Sequence, residues 1–104
     1  MENRSVVAKR LREAREMSEL SQKQLGVKAG IDEFSASPRI NQYERGKHTP
    51  DFSTVERLAK VLKLPTPFFY CREDDLASMI CAWGKLPSAR RRKLIKTLAS
   101  DLPK

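Results

Sequence analysis

Apolar residues recur at intervals of three and four along most of the chain, and short polar, glycine or proline breaks separate the runs. This period is typical of amphipathic helices. In the first run Val7, Leu11 and Ala14 share one face, and arginines and lysines fill the opposite side. The pattern predicts seven helices: 5–18, 21–30, a short third helix ending at Gly46, 51–63, a short fifth helix capped by Thr66, 74–83, and a last helix capped by Ser88.

The predicted fold class is all-α, in one compact domain overall. Five helices in residues 1–73 should form a compact bundle, and the two helices of residues 74–104 should add a C-terminal hairpin. The loop 31–34 should tuck Ile31 and Phe34 inward. The residues expected in the core also include Leu25, Ala29, Phe52, Val55, Leu58, Ala59, Leu62, Phe68 and Phe69.

The second predicted helix combines a strong start with a glycine in its middle. Ser21 followed by Gln24 fits the capping-box pattern. Gln22 and Lys23 lie in the first turn, where free backbone N–H groups and the helix dipole favour an anion such as a DNA phosphate. Gly26 removes a side chain, so we expect another helix to approach closely there.

The third predicted helix carries the residues with the most informative chemistry. Ser37 can cap it, Pro38 suits the first helical position, and Gly46 can supply a left-handed stop. Ile40 and Tyr43, three residues apart, should anchor one face. The side chains that then project outward are Ser37, Arg39, Asn41 and Gln42. Asn and Gln can pair with adenine edges and Arg with guanine, which favours a helix in a DNA major groove over a polar surface helix without a partner.

Composition agrees with a nucleic-acid partner and leaves little material for other functions. The 104 residues carry a formal charge of +8 and are 39% apolar, which suits one globular domain that binds a polyanion. No apolar run is long enough to cross a bilayer, and the N-terminal residues lack an export signal, so we expect no membrane partner and a cytoplasmic, nucleoid-associated location.

No catalytic or metal-binding constellation is evident in the sequence. Cys71 and Cys81 lie in apolar surroundings and are expected to be reduced, mostly buried thiols. His48 is the one histidine and lies far along the chain from both cysteines. We therefore expect no enzyme, no metal, no cofactor and no small-molecule ligand.

Three sequence signals together resemble the Cro/phage-repressor (XRE-type) family of helix-turn-helix regulators. They are Leu20-Ser21-Gln22-x-x-Leu25, Ile40-x-x-Tyr43-Glu44-x-Gly46, and Pro50-Asp51 followed by Val55, Leu58 and Ala59. The likeness covers about residues 9–70 and is greatest to controller proteins of restriction–modification systems. One departure is a link about four residues longer before the third helix, so Ser35 or Ser37 could be the cap, and the loop itself could touch DNA.

The resemblance implies roles for individual residues on double-stranded DNA. The base-contacting residues it implies are Ser37, Pro38, Arg39, Asn41 and Gln42. The phosphate-contacting residues are Gln22, Lys23, Ser35, Arg45, Lys47 and His48. Arg15 and Glu44 match positions where the family has an arginine and an acid that pair beneath the DNA-binding surface. We expect a largely buried salt bridge, and two exposed charges are the alternative.

The C-terminal helices carry more apolar residues than a peripheral hairpin can hide, and we expect a homodimer through them. These residues are Leu76, Ile80, Trp83, Leu94 and Leu98. Two-fold symmetry also follows because one recognition helix contacts too few base pairs for a gene-specific operator. The run Arg90–Lys93 is interpreted as a solvated face in preference to a second DNA site.

The function expected from these features is a dimeric, sequence-specific transcriptional regulator, and the resemblance makes a restriction–modification controller its more detailed form. An antitoxin-type protein-interaction module that also binds its own promoter is the alternative, because the same fold serves both functions. An antitoxin usually carries an extra partner-binding segment, and the chain ends close to its last predicted helix, which favours the regulator.

Overall fold

The computed structural model describes residues 5–103, and the regular secondary structure in this range is all helical, which confirms the all-α prediction. Six α-helices and one 3₁₀ helix follow one another within this range. Their bounds are α1 Val6–Met17, α2 Gln22–Lys28, α3 Glu33–Glu44, α4 Phe52–Leu62, the 3₁₀ helix Thr66–Tyr70, α5 Asp74–Lys85 and α6 Ser88–Asp101. None of the helices in residues 5–103 combines the length and apolar content needed to cross a membrane.

A single hydrophobic core joins α1 to α4, the 3₁₀ helix and the first half of α5. Its largest fully buried side chains are Leu11, Leu25, Ile40, Val55, Leu58 and Phe69. The predicted helix starts at Ser21 and Asp51 are both present. The Ser21 side chain accepts the N–H of Gln24, and the Asp51 side chain accepts the N–H of Thr54. The core of the bundle is therefore set by the helical spacing of apolar residues.

Gly26 lies where α2 and α3 touch, as its position in α2 predicted. A Cβ atom built on Gly26 would lie 2.7 Å from the Cβ of Ala36. Such a distance is too short for two carbon atoms, so a larger residue would push the two helices apart. This close contact fixes α3 against α2 at one point near its N-terminal end.

The third helix begins earlier than its sequence suggested, and the predicted caps at Ser35 and Ser37 are wrong. Asp32 is the N-cap, and its carboxylate accepts the N–H of Phe34 at 3.0 Å. Pro38 consequently lies inside α3 and not at its first position. The physical reason is the Gly26–Ala36 contact, since Ala36 packs there as part of a helix that has already begun.

Two aromatic residues predicted to be buried are exposed instead. Phe34 is 88% exposed because it belongs to the first turn of α3 and not to an inward-folded loop. Phe52 is 59% exposed because it is the first residue of α4, ahead of the part of the helix that covers the core. Its ring stacks on Tyr70 with a centroid distance of 6.2 Å.

The C-terminal helices also depart from the prediction in their ends and their packing. α5 continues through Gly84 to Lys85, and neither Thr66 nor Ser88 caps its helix with a side-chain hydrogen bond. No residue of α6 is buried. In the single chain α6 meets α5 near their connection, where Arg91 donates to the Trp83 carbonyl, and it makes few contacts along α5, so the two-helix hairpin stays a prediction. Residues 1–4 of the predicted bundle segment and residue 104 of the predicted C-terminal segment lie outside the described residues.

Arg10 ties α5 to the bundle, a role that the sequence did not indicate. The side chain of Arg10 is 4% exposed. Its guanidinium donates to the carbonyls of Cys71 at 2.8 Å and Arg72 at 3.1 Å, and to the carboxylate of Asp74 at 3.0 Å. These bonds hold the start of α5 against α1. Cys71 is buried and Cys81 half-buried, and both are free thiols.

Candidate nucleic-acid interface

α3 divides into an inner face held by the core and an outer face open to solvent. Ala36, Ile40 and Tyr43 are buried on the inner side. Side chains three or four residues apart on a helix share a face, which places Pro38, Gln42 and Arg45 together on the outer side. The exposed predicted DNA contacts of α3 and the following loop are Pro38, Arg39, Gln42, Arg45, Lys47 and His48, whereas Ser35, Ser37 and Asn41 are half-buried.

Arg15 of α1 and Glu44 of α3 form a two-pronged ion pair below this face. The distances are 2.5 Å from Arg15 Nε to Glu44 Oε2 and 3.0 Å from Arg15 Nη2 to Glu44 Oε1. The side chains are 14% and 3% exposed, respectively. Arg15 Nη1 also donates to the Leu20 carbonyl at 3.0 Å. The hydrogen bonds to Glu44 raise the pKa of Arg15 although burial lowers it, so the guanidinium stays charged.

Gln22 extends this ion pair into a network that reaches the outer face of α3. Its side-chain amide donates to Glu44 Oε1 at 3.2 Å and to Asn41 Oδ1 at 3.3 Å. The predicted phosphate contact Gln22 and the predicted base contact Asn41 are thus brought together. Asn41 is oriented by a neighbour from α2, which limits the directions in which its amide can meet a ligand.

A polar cleft of about 370 Å³ opens at the junction of α1, α2 and α3. Its lining residues are Arg12, Arg15, Gln22, Asn41, Glu44, Arg45 and Lys47. Arg15 pairs with Glu44 and Arg12 with Glu16, so Arg45 and Lys47 leave the cleft with an excess of positive charge. Arg12, which is 63% exposed and pairs with Glu16, was missed as a candidate. Its spacing of three residues from Arg15 on α1 was the available signal.

The turn after α3 presents its cations on a backbone that folds back on the helix. Gly46 has φ +76°, and the N–H of Lys47 then donates to the Gln42 carbonyl at 3.0 Å. Lys47 and His48 are both exposed, and Lys47 lines the cleft. Lys23 is exposed on α2, with its Nζ 3.6 Å from Glu33 Oε2.

The predicted dimer residues divide between two surfaces. Leu76, Ile80 and Trp83 lie on α5, where they line an apolar groove of about 480 Å³ together with Pro65, Pro67 and Met79. Leu94 and Leu98 lie on α6, outside that groove. Ile95 and Leu102, both more than half exposed, extend the apolar side of α6. The guanidinium of Arg91 lies 5.3 Å from the centre of the Trp83 ring and joins the two helices.

Among residues 5–103, the structure brings together no group of three or more histidine, cysteine, aspartate or glutamate side chains that could hold a metal ion.

Comparisons with known proteins agree with this geometry. The sequence profile of the helix-turn-helix family HTH_3 matches residues 11–69, which span α1 from Leu11 to the 3₁₀ helix. The crystal structure of the transcriptional regulator BswR superposes with a TM-score of 0.84 at 44% sequence identity, over 89% of this chain and 92% of that one. Curated protein sequences give no match.

Proposed function

Because the chain belongs to the XRE-type helix-turn-helix family of DNA-binding transcriptional regulators, we propose that it binds a two-fold symmetric operator as a homodimer. In this proposal α3 of each protomer lies in the major groove. Pro38, Arg39, Gln42 and the half-buried Ser37 and Asn41 contact base edges. The resemblance to a regulator of similar length, with most of both chains covered, supports a function in transcription.

The observation that carries the proposal is the outer face of α3. Pro38, Gln42 and Arg45 are exposed and follow one another at helical spacing, while Ile40 and Tyr43 fix the opposite side in the core. A polar face on a firmly held helix can enter the major groove, where amide and guanidinium side chains distinguish the base pairs. A solvated helix without a partner would not require the buried network beneath it.

The cleft supplies the second half of the proposed interface. Arg12, Arg45 and Lys47 line it, and Lys23 and His48 are exposed on α2 and on the loop after α3. Cations at this position can contact the phosphates on either side of the groove. Such contacts set the position of the protein along DNA and make affinity depend on salt, but they carry no sequence information.

The homodimer is supported by the state of α6 in the single chain. A 14-residue helix with no buried side chain is marginal in water. Its apolar residues and the groove on α5 would both be covered if two copies met through their C-terminal helices. Symmetric pairing would also place the two recognition helices about 34 Å apart, one turn of DNA.

A controller role in a restriction–modification system remains the more detailed form of this proposal. It rests on the segment Gly30–Ser37 and on Asn41-Gln42-Tyr43-Glu44, which resemble those controllers. The genes next to this one test it: an adjacent methyltransferase and endonuclease would support it, and their absence would contradict it.

The function is tested by selecting DNA from a pool of random 30-base-pair duplexes with the full-length protein. The proposal predicts enrichment of an inverted repeat with half-sites about 10 base pairs apart, bound by two protomers as judged by light scattering of the complex. Recovery of unrelated sequences, or of a site bound by one protomer, would overturn it.

A further inference from the structure

The early start of α3 creates an additional turn at the end of the helix that faces the proposed DNA groove. Asp32 caps the helix, so Glu33, Phe34 and Ser35 are helical. Phe34 is the most exposed large apolar residue in the part of the chain that the structure describes, at 88%. A phenylalanine exposed at the N-terminal end of a helix proposed to lie in the major groove is placed to contact base edges.

The direction of Phe34 follows from its spacing to the other outward residues. Phe34, Pro38, Gln42 and Arg45 follow one another at intervals of four, four and three residues. Residues at this spacing share one face of a helix, so all four lie on the outer face of α3. Glu33 points aside toward α2, where its carboxylate lies 3.6 Å from Lys23 Nζ. The ring of Phe34 therefore extends the base-contacting row toward the N-terminal end of the helix.

We propose that Phe34 is a further specificity-determining residue, which contacts the 5-methyl group of a thymine in the major groove. The inference rests on the proposed function, because it assumes that α3 enters that groove. The N-terminal residues of recognition helices are the ones that approach base edges. Apolar side chains, phenylalanine among them, recognise thymine there by its methyl group. The neighbouring Pro38 adds a second apolar surface to the same part of the helix.

The test uses the duplex selected by the parent protein, with each thymine replaced in turn by uracil, which lacks the methyl group. Loss of one buried methyl corresponds to about a fourfold change in Kd. We expect the parent to bind about fourfold or more weakly when one particular thymine in each half-site becomes uracil. Phe34→Ala should bind the thymine and uracil duplexes equally, and Phe34→Leu should keep part of the difference.

Phe52→Ala is the matched control, since Phe52 is also an exposed phenylalanine at the start of a helix, but one that stacks on Tyr70. It should respond to uracil as the parent does. Phe34 makes no buried contact, and Asp32 caps α3 through the backbone N–H of residue 34, so the variants should fold normally.

Three results would overturn the proposal. The first is an equal response of the parent and Phe34→Ala to every uracil. The second is an equal loss of affinity by Phe34→Ala for selected and random duplexes. The third is a change in oligomeric state in Phe34→Ala, which would assign the ring to a protein contact. Failure of the parent to select any sequence would instead overturn the proposed function itself.

Discussion

The α3 region and the α6 region of this molecule differ in how much of each helix the single chain buries. At the α3 end the inner face is closed by the core and by the Arg15–Glu44 pair, and the outer face is mainly polar. At the α6 end no side chain is buried, and the exposed surface includes Ile95, Leu98 and Leu102. The α3 face that we propose for DNA is fixed from within one chain, whereas we propose that α6 is covered by a second chain.

The largest expected effect is on the free energy of unfolding, and it distinguishes the buried Arg15–Glu44 pair beneath α3 from an exposed ion pair. Removing one partner of a buried ion pair leaves an uncompensated charge and costs about 3–5 kcal/mol. Glu44→Ala and Arg15→Ala should each lower the free energy of unfolding by about that amount in urea denaturation at fixed protein concentration. The double variant should recover part of the loss.

Arg12 and Glu16 provide the matched control for that experiment, because they form an exposed pair on the same helix, with 63% and 55% of their side chains exposed. Removing either should change stability by about 0–1 kcal/mol. If the variants of Arg15 and Glu44 unfold like those of Arg12 and Glu16, the buried pair does not hold α3 in place.

The next effect tests whether α6 is covered by a second copy. Leu98→Glu would place a carboxylate in the apolar contact, at a cost of several kcal/mol, and should weaken dimerisation by about a hundredfold or more. Light scattering at micromolar concentration should then report a monomer, and binding to the selected operator should fall with it.

Ser100→Glu adds the same charge two residues away, on the other side of α6, and should leave the dimer intact. Two findings would count against the proposed interface: a parent protein that is monomeric at micromolar concentration, or a dimer that survives Leu98→Glu unchanged.

The smallest expected effect concerns the ion pair between Arg10 and Asp74, which holds the start of α5 against α1. The hydrogen bond from Arg10, followed by the charge of Lys9, lowers the pKa of Asp74 below its ordinary value of 3.8. A carboxylate with a lowered pKa stabilises the fold above the unfolded-state pKa, and that contribution is lost as the pH falls through the folded-state pKa. Asp74→Asn should therefore unfold at slightly lower urea than the parent at pH 7.

The difference in unfolding free energy between Asp74→Asn and the parent should shrink as the pH is lowered below about 3.8. It should vanish once Asp74 of the parent is protonated in both the folded and the unfolded protein. Asp75→Asn controls for loss of a negative charge in the same helical turn. A difference that stays constant between pH 7 and pH 3 would show that the ion pair with Arg10 is not its source.

The sequence was sufficient for the bundle because helical spacing alone places Leu11, Leu25, Leu58 and Phe69 in one core. It was insufficient for the start of α3, where Ser35 and Ser37 were the expected caps and Pro38 favours the second of them, whereas Asp32 is the observed cap. The choice is made by the contact between Ala36 and Gly26, which joins two helices and is invisible to local propensity.

Long-range contacts also explain the other departures. Arg10 is one of many arginines in the sequence, and its burial depends on carbonyls more than 60 residues away. For α6, the apolar stripe was predictable from helical spacing, but the absence of buried residues on α6 in the single chain was not.

The central claim is that the outer face of α3 distinguishes base sequences while the loop after it contacts phosphates. The most direct measurement compares Gln42→Ala and Lys47→Ala in their binding to the selected duplex and to random duplex over a range of salt concentrations. Gln42→Ala should lose about 1–3 kcal/mol on the selected duplex and almost nothing on random DNA. Lys47→Ala should weaken both and reduce the salt slope by about one. An equal loss on both duplexes for Gln42→Ala would contradict the assignment of α3 as the sequence-specific element.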